Sequence, residues 1–324
     1  MQPFILPPNK LHRFYEGGAR IDALRGDPPG PGHHPEDWVG STATSLGSDE
    51  EGLARLADGA LLRDLIAAEP EQFLGAEHVA RWGANPAVLI KLLDAGERLP
   101  VHYHPGRAFA REHLDLPFGK TESWLILEAD EGAAVHVGLR DEIEAEMVRR
   151  WVVEQDADEM LAALRRIEVK PGDAVFVPAG TMHAIGEGIL LLELQEPTDL
   201  SVLVEHEGFA ADGSEHLFLG WELALQSVDL TPGTQTAGPE LPPESHPYFR
   251  APRVKAGDEL EPSFAVLLVM SGEGTLRTER GEELPLTRGR TALVPFAAGT
   301  TTLDGDLEAI RCLPPDPHTE EGRW

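Results

Sequence analysis

Short apolar runs, each closed by glycine, proline or charged turn residues, follow one another along most of this chain and point to a β-rich fold. AVLIKLLDA (87–95), ESWLILEA (122–129) and AAVHVGL (133–139) open a first series. IEV, DAVFVPAG, GILLLELQ and LSVLVEH carry it to about residue 206. A second series, RAPRVKAG, SFAVLLVMSGEGTLRTE, EELPLTRGRTALVPFAAGTTTL and LEAIRCL, lies beyond 228–247, a segment heavy in Pro, Gly and Thr that reads as a linker. VKPGDAVFVPAGTMHAI in the first series is echoed by LTRGRTALVPFAAGTTTL in the second, as a duplicated barrel would leave it. The expectation is a mainly β protein of two barrels, 1–227 and 248–324, with helical insertions in the N-terminal half. Leu53, Leu56, Leu61, Leu62 and Leu65 place one insertion at about 48–82, with Ser48 and Asp49 as caps, and a Glu-, Ala-, Leu- and Arg-rich stretch places another at about 141–166. Residues 1–34, with Pro7, Pro8 and GDPPGPGHH, read as a short strand followed by loop.

Charge narrows the partners. A formal net charge of −29 argues against nucleic acid and anionic membrane surfaces. It also slows the approach of a phosphorylated substrate unless a local basic pocket offsets the field. No apolar run approaches the roughly 20 residues that span a bilayer, and the opening MQPFILPPNKLHRF lacks the pattern of a secretion signal. Cys312 is the one cysteine, so no internal disulfide forms and a reducing compartment fits; the expected location is cytoplasmic. The oligomeric state is left open.

His102 and His104 stand two apart in a strand-like run, so their side chains share a face and can hold a metal together. Gly96-x5-His102-x-His104 and Gly172-x5-Pro178-x-Gly180-x2-His183 resemble the two signatures of the cupin superfamily, whose jelly-roll barrels hold a metal in their mouth. The resemblance implies His102, His104 and His183 as ligands and a glutamate after the first signature. Glu112 falls in a loop-like insertion, whereas Glu122 opens the next strand and is the better fourth ligand. Three imidazoles and a carboxylate suit Zn, Fe, Mn, Ni or Co.

VLIKLLDAGERLPVHYHP, FGKTESWLILEA and VKPGDAVFVPAGTMHAIGEGILLLELQEPTDLSV, with PEDWVGST as a weaker block, look like class I mannose-6-phosphate isomerases. That resemblance implies an aldose–ketose isomerase, a sugar or sugar phosphate as the small-molecule partner, one divalent metal with zinc first, and a second, metal-free cupin-like barrel at the C-terminus. The chain departs from the family pattern twice. His102 stands where the family usually has glutamine, and Leu203 stands where it usually has an arginine.

Isomerisation of this kind moves a proton between C1 and C2 through a cis-enediol, and needs a base, a carrier for hydroxyl protons and a nearby cation. Lys120, in the matching GKTE block, is a candidate proton carrier or anion contact. Lys91 and Glu193 are further catalytic candidates, and Gln195, Arg107 and Trp38 are candidate substrate contacts. Glu193 and Gln195 share a strand face and are expected beside His183, whereas Arg107 and Arg111 lie in the inserted loop where they can replace the arginine missing at Leu203. Trp38 and Trp124 can stack on a sugar or pack in the core. Arg165 and Arg166 read as helical. A metal-dependent cupin oxygenase and a non-catalytic sugar-binding cupin remain alternatives, because the ligand set alone serves all three.

Overall fold

The computed structural model describes residues 1–319, so the end of the second expected barrel, 320–324, lies outside the described residues. The chain is mainly β, built from three antiparallel sheets. The six-stranded sheet runs Lys10–Leu11, Glu36–Trp38, Leu89–Ala95, Ile189–Gln195, Glu122–Ala129, Ala174–Val177. Its two middle strands, LIKLLDA and ILLLELQ, are buried at every residue, which happens when both faces of a sheet are covered.

Alternation sorts their side chains. Ile90, Leu92, Leu125, Leu190, Leu192 and Leu194 point to a core shared with Leu6, Val266, Leu268 and Ile310 of another sheet and with Leu62, Ile66 and Phe73 of the helical segment. Leu93, Ala95, Trp124, Ile126, Ile189 and Leu191 point the other way, against Val135, Val137 and Ile185 of the five-stranded sheet. That sheet runs Val202–Leu203, His102–Tyr103, His183–Ile185, Ala134–Leu139, Leu164–Glu168. At one end of this second interior the same alternating positions turn polar: Glu193 sits opposite Lys91, Gln195 opposite Glu122, and Trp38 opposite Lys91. The apolar end closes the space between the sheets, and the polar end opens into a cavity.

The second series of strands forms the remaining sheet around the long pair Ala265–Thr278 and Thr301–Cys312. Leu267, Val269, Leu276, Leu303 and Leu307 make a core of its own. Phe4–Ile5 is its edge, paired with Ala292 and Leu293, so the first residues of the chain belong to the sheet of the second half. The 228–247 segment is pinned along the first half: Gly233 N–H donates to Leu139 O at 2.8 Å, and Gly238 exchanges hydrogen bonds with Ala174.

The helical expectations need correction in detail. Helix occupies Leu62–Ala68, Pro70–Leu74 and Ala76–Trp82, while 48–61 is turn structure. Gly52 and Gly59 adopt φ of 99° and 87°, which ends helical geometry there, and a Cβ at Gly52 would lie 2.6 Å from the Trp38 ring. The second insertion is Ala145–Glu154 and Ala157–Ala163; Arg165 and Arg166 lie on the strand Leu164–Glu168. Ala19–Arg25, read as loop, is a helix set between Gly18 and Gly26, too short to show a period. No helix of the described residues is long and apolar enough to cross a membrane.

Near the end of the helical segment His78 is buried against Trp82, ring centroids 4.6 Å apart, and its Nε2 meets Asn85 O at 2.8 Å. Burial pushes its pKa down from 6.5 to about 4. The unfolded chain therefore binds a proton the folded chain refuses, and stability falls as pH drops from about 6.5 to about 4, by about 3 kcal/mol from this group. His78→Gln, which keeps an N–H for Asn85 O, is expected to remove that share of the acid sensitivity; urea midpoints of the two proteins across pH 7 to 4 measure it.

Candidate metal centre

Antiparallel pairing of His102–Tyr103 with His183–Ile185 sets His183 directly opposite His102, and the two-residue alternation adds His104. The ligand atoms of the three imidazoles lie within 4.8 Å of one another. His102 and His183 approach most closely, Nε2 to Nε2 at 3.0 Å. Each ring is fixed from behind by a backbone carbonyl: Nδ1 of His102 meets Pro100 O at 2.8 Å, Nδ1 of His104 meets Leu200 O at 2.7 Å, and Nδ1 of His183 meets Thr181 O at 2.8 Å. A carbonyl only accepts, so each Nδ1 carries the hydrogen and each Nε2 presents a lone pair to the common centre.

Glu122 opens the neighbouring strand and reaches two of the three rings, with Oε2 at 3.0 Å from His104 Nε2 and Oε1 at 3.3 Å from His183 Nε2. Burial pushes His104 and His183 down to about 3 and His102 well below the usual histidine range, which leaves all three neutral at pH 7, the ligating form. Burial pushes the Glu122 carboxyl up, but His104 and Lys120 outweigh it and hold the group well below the usual range. His104 Nε2 and Glu122 Oε2 are buried without a hydrogen-bond partner among the described residues. Two orphaned donor-set atoms facing one point, inside a three-histidine group, fit a divalent cation.

His102 and Glu122 line a cavity of about 240 Å³ that also receives Lys91, Lys120, Glu193 and Leu203, the last paired with His102 across neighbouring strands. Lys120 Nζ lies 3.4 Å from Glu122 Oε2 and 4.0 Å from Glu193 Oε1. Lys91 Nζ sits between Glu193 at 3.8 Å and Glu36 at 3.7 Å and 4.8 Å from the centre of the Trp38 ring. Those two carboxyls part company. Burial raises Glu193 to about 8 despite Lys91. Glu36 is equally buried, yet Arg13, Lys91, Trp38 Nε1 at 2.6 Å and Tyr15 Oη at 2.7 Å hold it well below the usual range.

Three expected substrate contacts lie elsewhere. Trp38 is fully buried, its indole bonded to Glu36 and its ring flanked by Lys91 and Arg13, so no face is left for a sugar. Gln195 shares the strand face of Glu193 and ends the strand opposite Glu122. Its Nε2 donates to the carbonyls of Glu196 and Thr198, and it does not reach the cavity wall. Arg107, on the helix Arg107–Leu114, pairs with Glu196 at 2.5 Å and lies 4.7 Å from the Tyr248 ring centre, off the cavity wall. Arg13, Tyr15 and Glu36, absent from the sequence-derived candidates, do line the cavity. The sequence signal was the alternation of Glu36 with Trp38 and of Arg13 with Tyr15, hidden in a stretch that reads as loop.

The family described as mannose-6-phosphate isomerase, cupin domain, matches residues 253–314. A mannose-6-phosphate isomerase of Streptococcus mutans is 31% identical over 257 residues, 74% of this chain and 79% of that protein. Among solved structures, the mannose 6-phosphate isomerase of Bacillus subtilis superposes with a TM-score of 0.76 at 23% identity, over 96% of this chain and 99% of that one. A mannose 6-phosphate isomerase bound with zinc and yttrium superposes with a TM-score of 0.75 at 16% identity, over 98% and 100%. Motif blocks, a buried three-histidine centre and an extended match at this identity agree, and the chain belongs to the mannose-6-phosphate isomerase family.

Proposed function

We propose that this chain is a metal-dependent aldose–ketose isomerase that interconverts mannose 6-phosphate and fructose 6-phosphate, or closely related sugars, in the cavity beside the histidine triad. The isomerase activity follows from family membership. The observation that carries the site assignment is the convergence of three Nε2 lone pairs and one carboxylate on one point at the cavity wall. His102, His104, Glu122 and His183 would hold the metal, with zinc as the first choice because a neighbouring isomerase structure is bound with zinc. When bound, the dication supplies charge stabilisation for oxygen that becomes negative along the reaction. In this reading the two interior cores are those of two cupin barrels, the first carrying the metal and the second, built on the long strand pair Ala265–Thr278 and Thr301–Cys312, carrying none.

The remaining groups divide the proton work. Glu193, held near neutrality by burial, can give a proton to a substrate oxygen and take one back at physiological pH. Lys120 lies between Glu122 and Glu193 and places an ammonium where hydroxyl protons move. Lys91 bridges Glu193 and Glu36 and fixes the Glu193 carboxyl from behind. Apolar Leu93, Leu99 and Ile185 complete the walls and thin out competing water.

Three outcomes are expected. Zinc-loaded protein in D2O converts mannose 6-phosphate to the ketose with deuterium at C1, and deuterium appears at C2 of the recovered aldose, followed by proton NMR; no exchange in metal-loaded protein overturns the isomerase assignment. Metal analysis and titration calorimetry give one divalent ion per chain, and His104→Ala weakens its affinity by about 100-fold or more, since one imidazole that would bind the ion is lost. Glu193→Gln keeps shape and metal affinity but cannot carry the proton, so kcat drops by about 10²- to 10⁴-fold with metal content unchanged.

A further inference from the structure

A cation outside the motif blocks enters the cavity from the N-terminal segment. Arg13 follows the strand Lys10–Leu11, and its side chain is 15% exposed. Its guanidinium is held along one edge only. Nε lies 3.2 Å from Glu36 Oε2, and Cζ lies 5.2 Å from the centre of the Trp38 ring. Nη2 is buried and has no hydrogen-bond partner among the described residues; Asp199 Oδ2, at 3.8 Å, is too far to accept a good one. A buried charged nitrogen without an acceptor is costly, and a cavity wall is where a ligand can supply the acceptor.

The surroundings say which ligand. In a chain of net charge −29, an anionic substrate needs a local positive site. Leu203 on the cavity wall offers an anion nothing, and Arg107 is committed to Glu196 outside it. Lys120 and Lys91 are engaged with Glu122, Glu193 and Glu36. The planar fork of Arg13 is the group whose outer edge is uncommitted, and such a fork matches two oxygens of a phosphate. Asp199 also accepts from Leu46 N–H at 3.2 Å and is partly exposed, so it can yield its long contact with Arg13 to an incoming anion.

We propose that Arg13 is the specificity residue that binds the phosphate monoester of the sugar substrate, with Asp199 as the carboxylate the phosphate displaces. This rests on the isomerase reading of the same cavity for the reaction but not for the binding. The sugar then spans from Arg13 to the His102 and Glu122 side, which puts its C1–C2 end beside Lys120 and Glu193. Arg13 also braces Glu36, so a purely supporting role is the rival account.

Titration calorimetry and initial rates on metal-loaded, full-length protein separate the two, with mannose 6-phosphate and unphosphorylated mannose as probes. Arg13→Gln is expected to weaken mannose 6-phosphate binding and kcat/KM by about 100-fold, the scale of a lost charged hydrogen-bond pair, while mannose changes by less than about threefold. Arg13→Lys keeps charge without the fork and falls in between. Asp199→Asn removes the competing carboxylate and is expected to tighten mannose 6-phosphate binding severalfold. Equal losses for both sugars in Arg13→Gln, or unchanged mannose 6-phosphate affinity in Arg13→Lys and Asp199→Asn, overturn the assignment. If the wild-type protein binds mannose 6-phosphate in an Arg13-dependent way but converts neither sugar, the isomerase reading fails and the phosphate site stands.

Discussion

Two strands buried on both faces organise this protein. Leu89–Ala95 and Ile189–Gln195 are neighbours in the middle of the six-stranded sheet, and neither touches solvent along its length. One face of the pair packs toward the sheet of the second half and the helical segment, the other toward the five-stranded sheet. Because the pleat alternates, Lys91 and Glu193 cannot avoid the second interior; Lys91 is tolerable there because Glu36 and Glu193 flank it, and burial pushes Glu193 toward its neutral form. The cavity is the place where that interior runs out of apolar side chains.

The buried ions form a chain with physical consequences. Arg13, Glu36, Lys91, Glu193, Lys120 and Glu122 succeed one another at contact distances between 3.2 and 4.0 Å. Basic and acidic groups alternate along it, and Arg13 stands at its outer end, where its neighbour Glu36 keeps three other partners, Lys91, Trp38 and Tyr15. The same arrangement separates two glutamates by environment. Glu36, with hydrogen bonds from Trp38 and Tyr15 and the charges of Arg13 and Lys91, stays ionised, whereas Glu193, near Lys91 and Lys120 but also near the Glu122 carboxylate, is raised to about 8 by burial. The histidine triad is preorganised differently, by backbone carbonyls that orient each ring without adding charge.

Much of this was legible in the chain itself. HxH in a strand-like run predicts two imidazoles on one face, and the strand Glu122–Ala129 begins at the expected fourth ligand, while Glu112 lies on the helix Arg107–Leu114. Lys91, Lys120 and Glu193 line the cavity as the alternation and the GKTE block suggested. Gln195 shows the limit of alternation: it shares the face of Glu193, but its amide turns to the carbonyls of Glu196 and Thr198 in the following turn and not to the cavity. Residue type and motif neighbourhood point to Trp38 and Arg107, but the Trp38 indole is spent on Glu36, two residues away, and the Arg107 guanidinium on Glu196, far along the chain.

The sequence by itself determined the β-rich class, the two strand series and the placing of His102 and His104 on one face, because period-two alternation is a local property; His183 is marked by its own motif, and its place opposite His102 comes from strand pairing. Only the tertiary structure decided what surrounds the triad. Segment Lys10–Trp38 adds two strands to the edge of the sheet and brings Arg13, Tyr15 and Glu36 to residues more than fifty positions later. Phe4–Ile5 joins the sheet of the second half in the same way. Such contacts depend on which buried faces meet when the sheets stack, a property of the whole packed chain and of no single stretch of it.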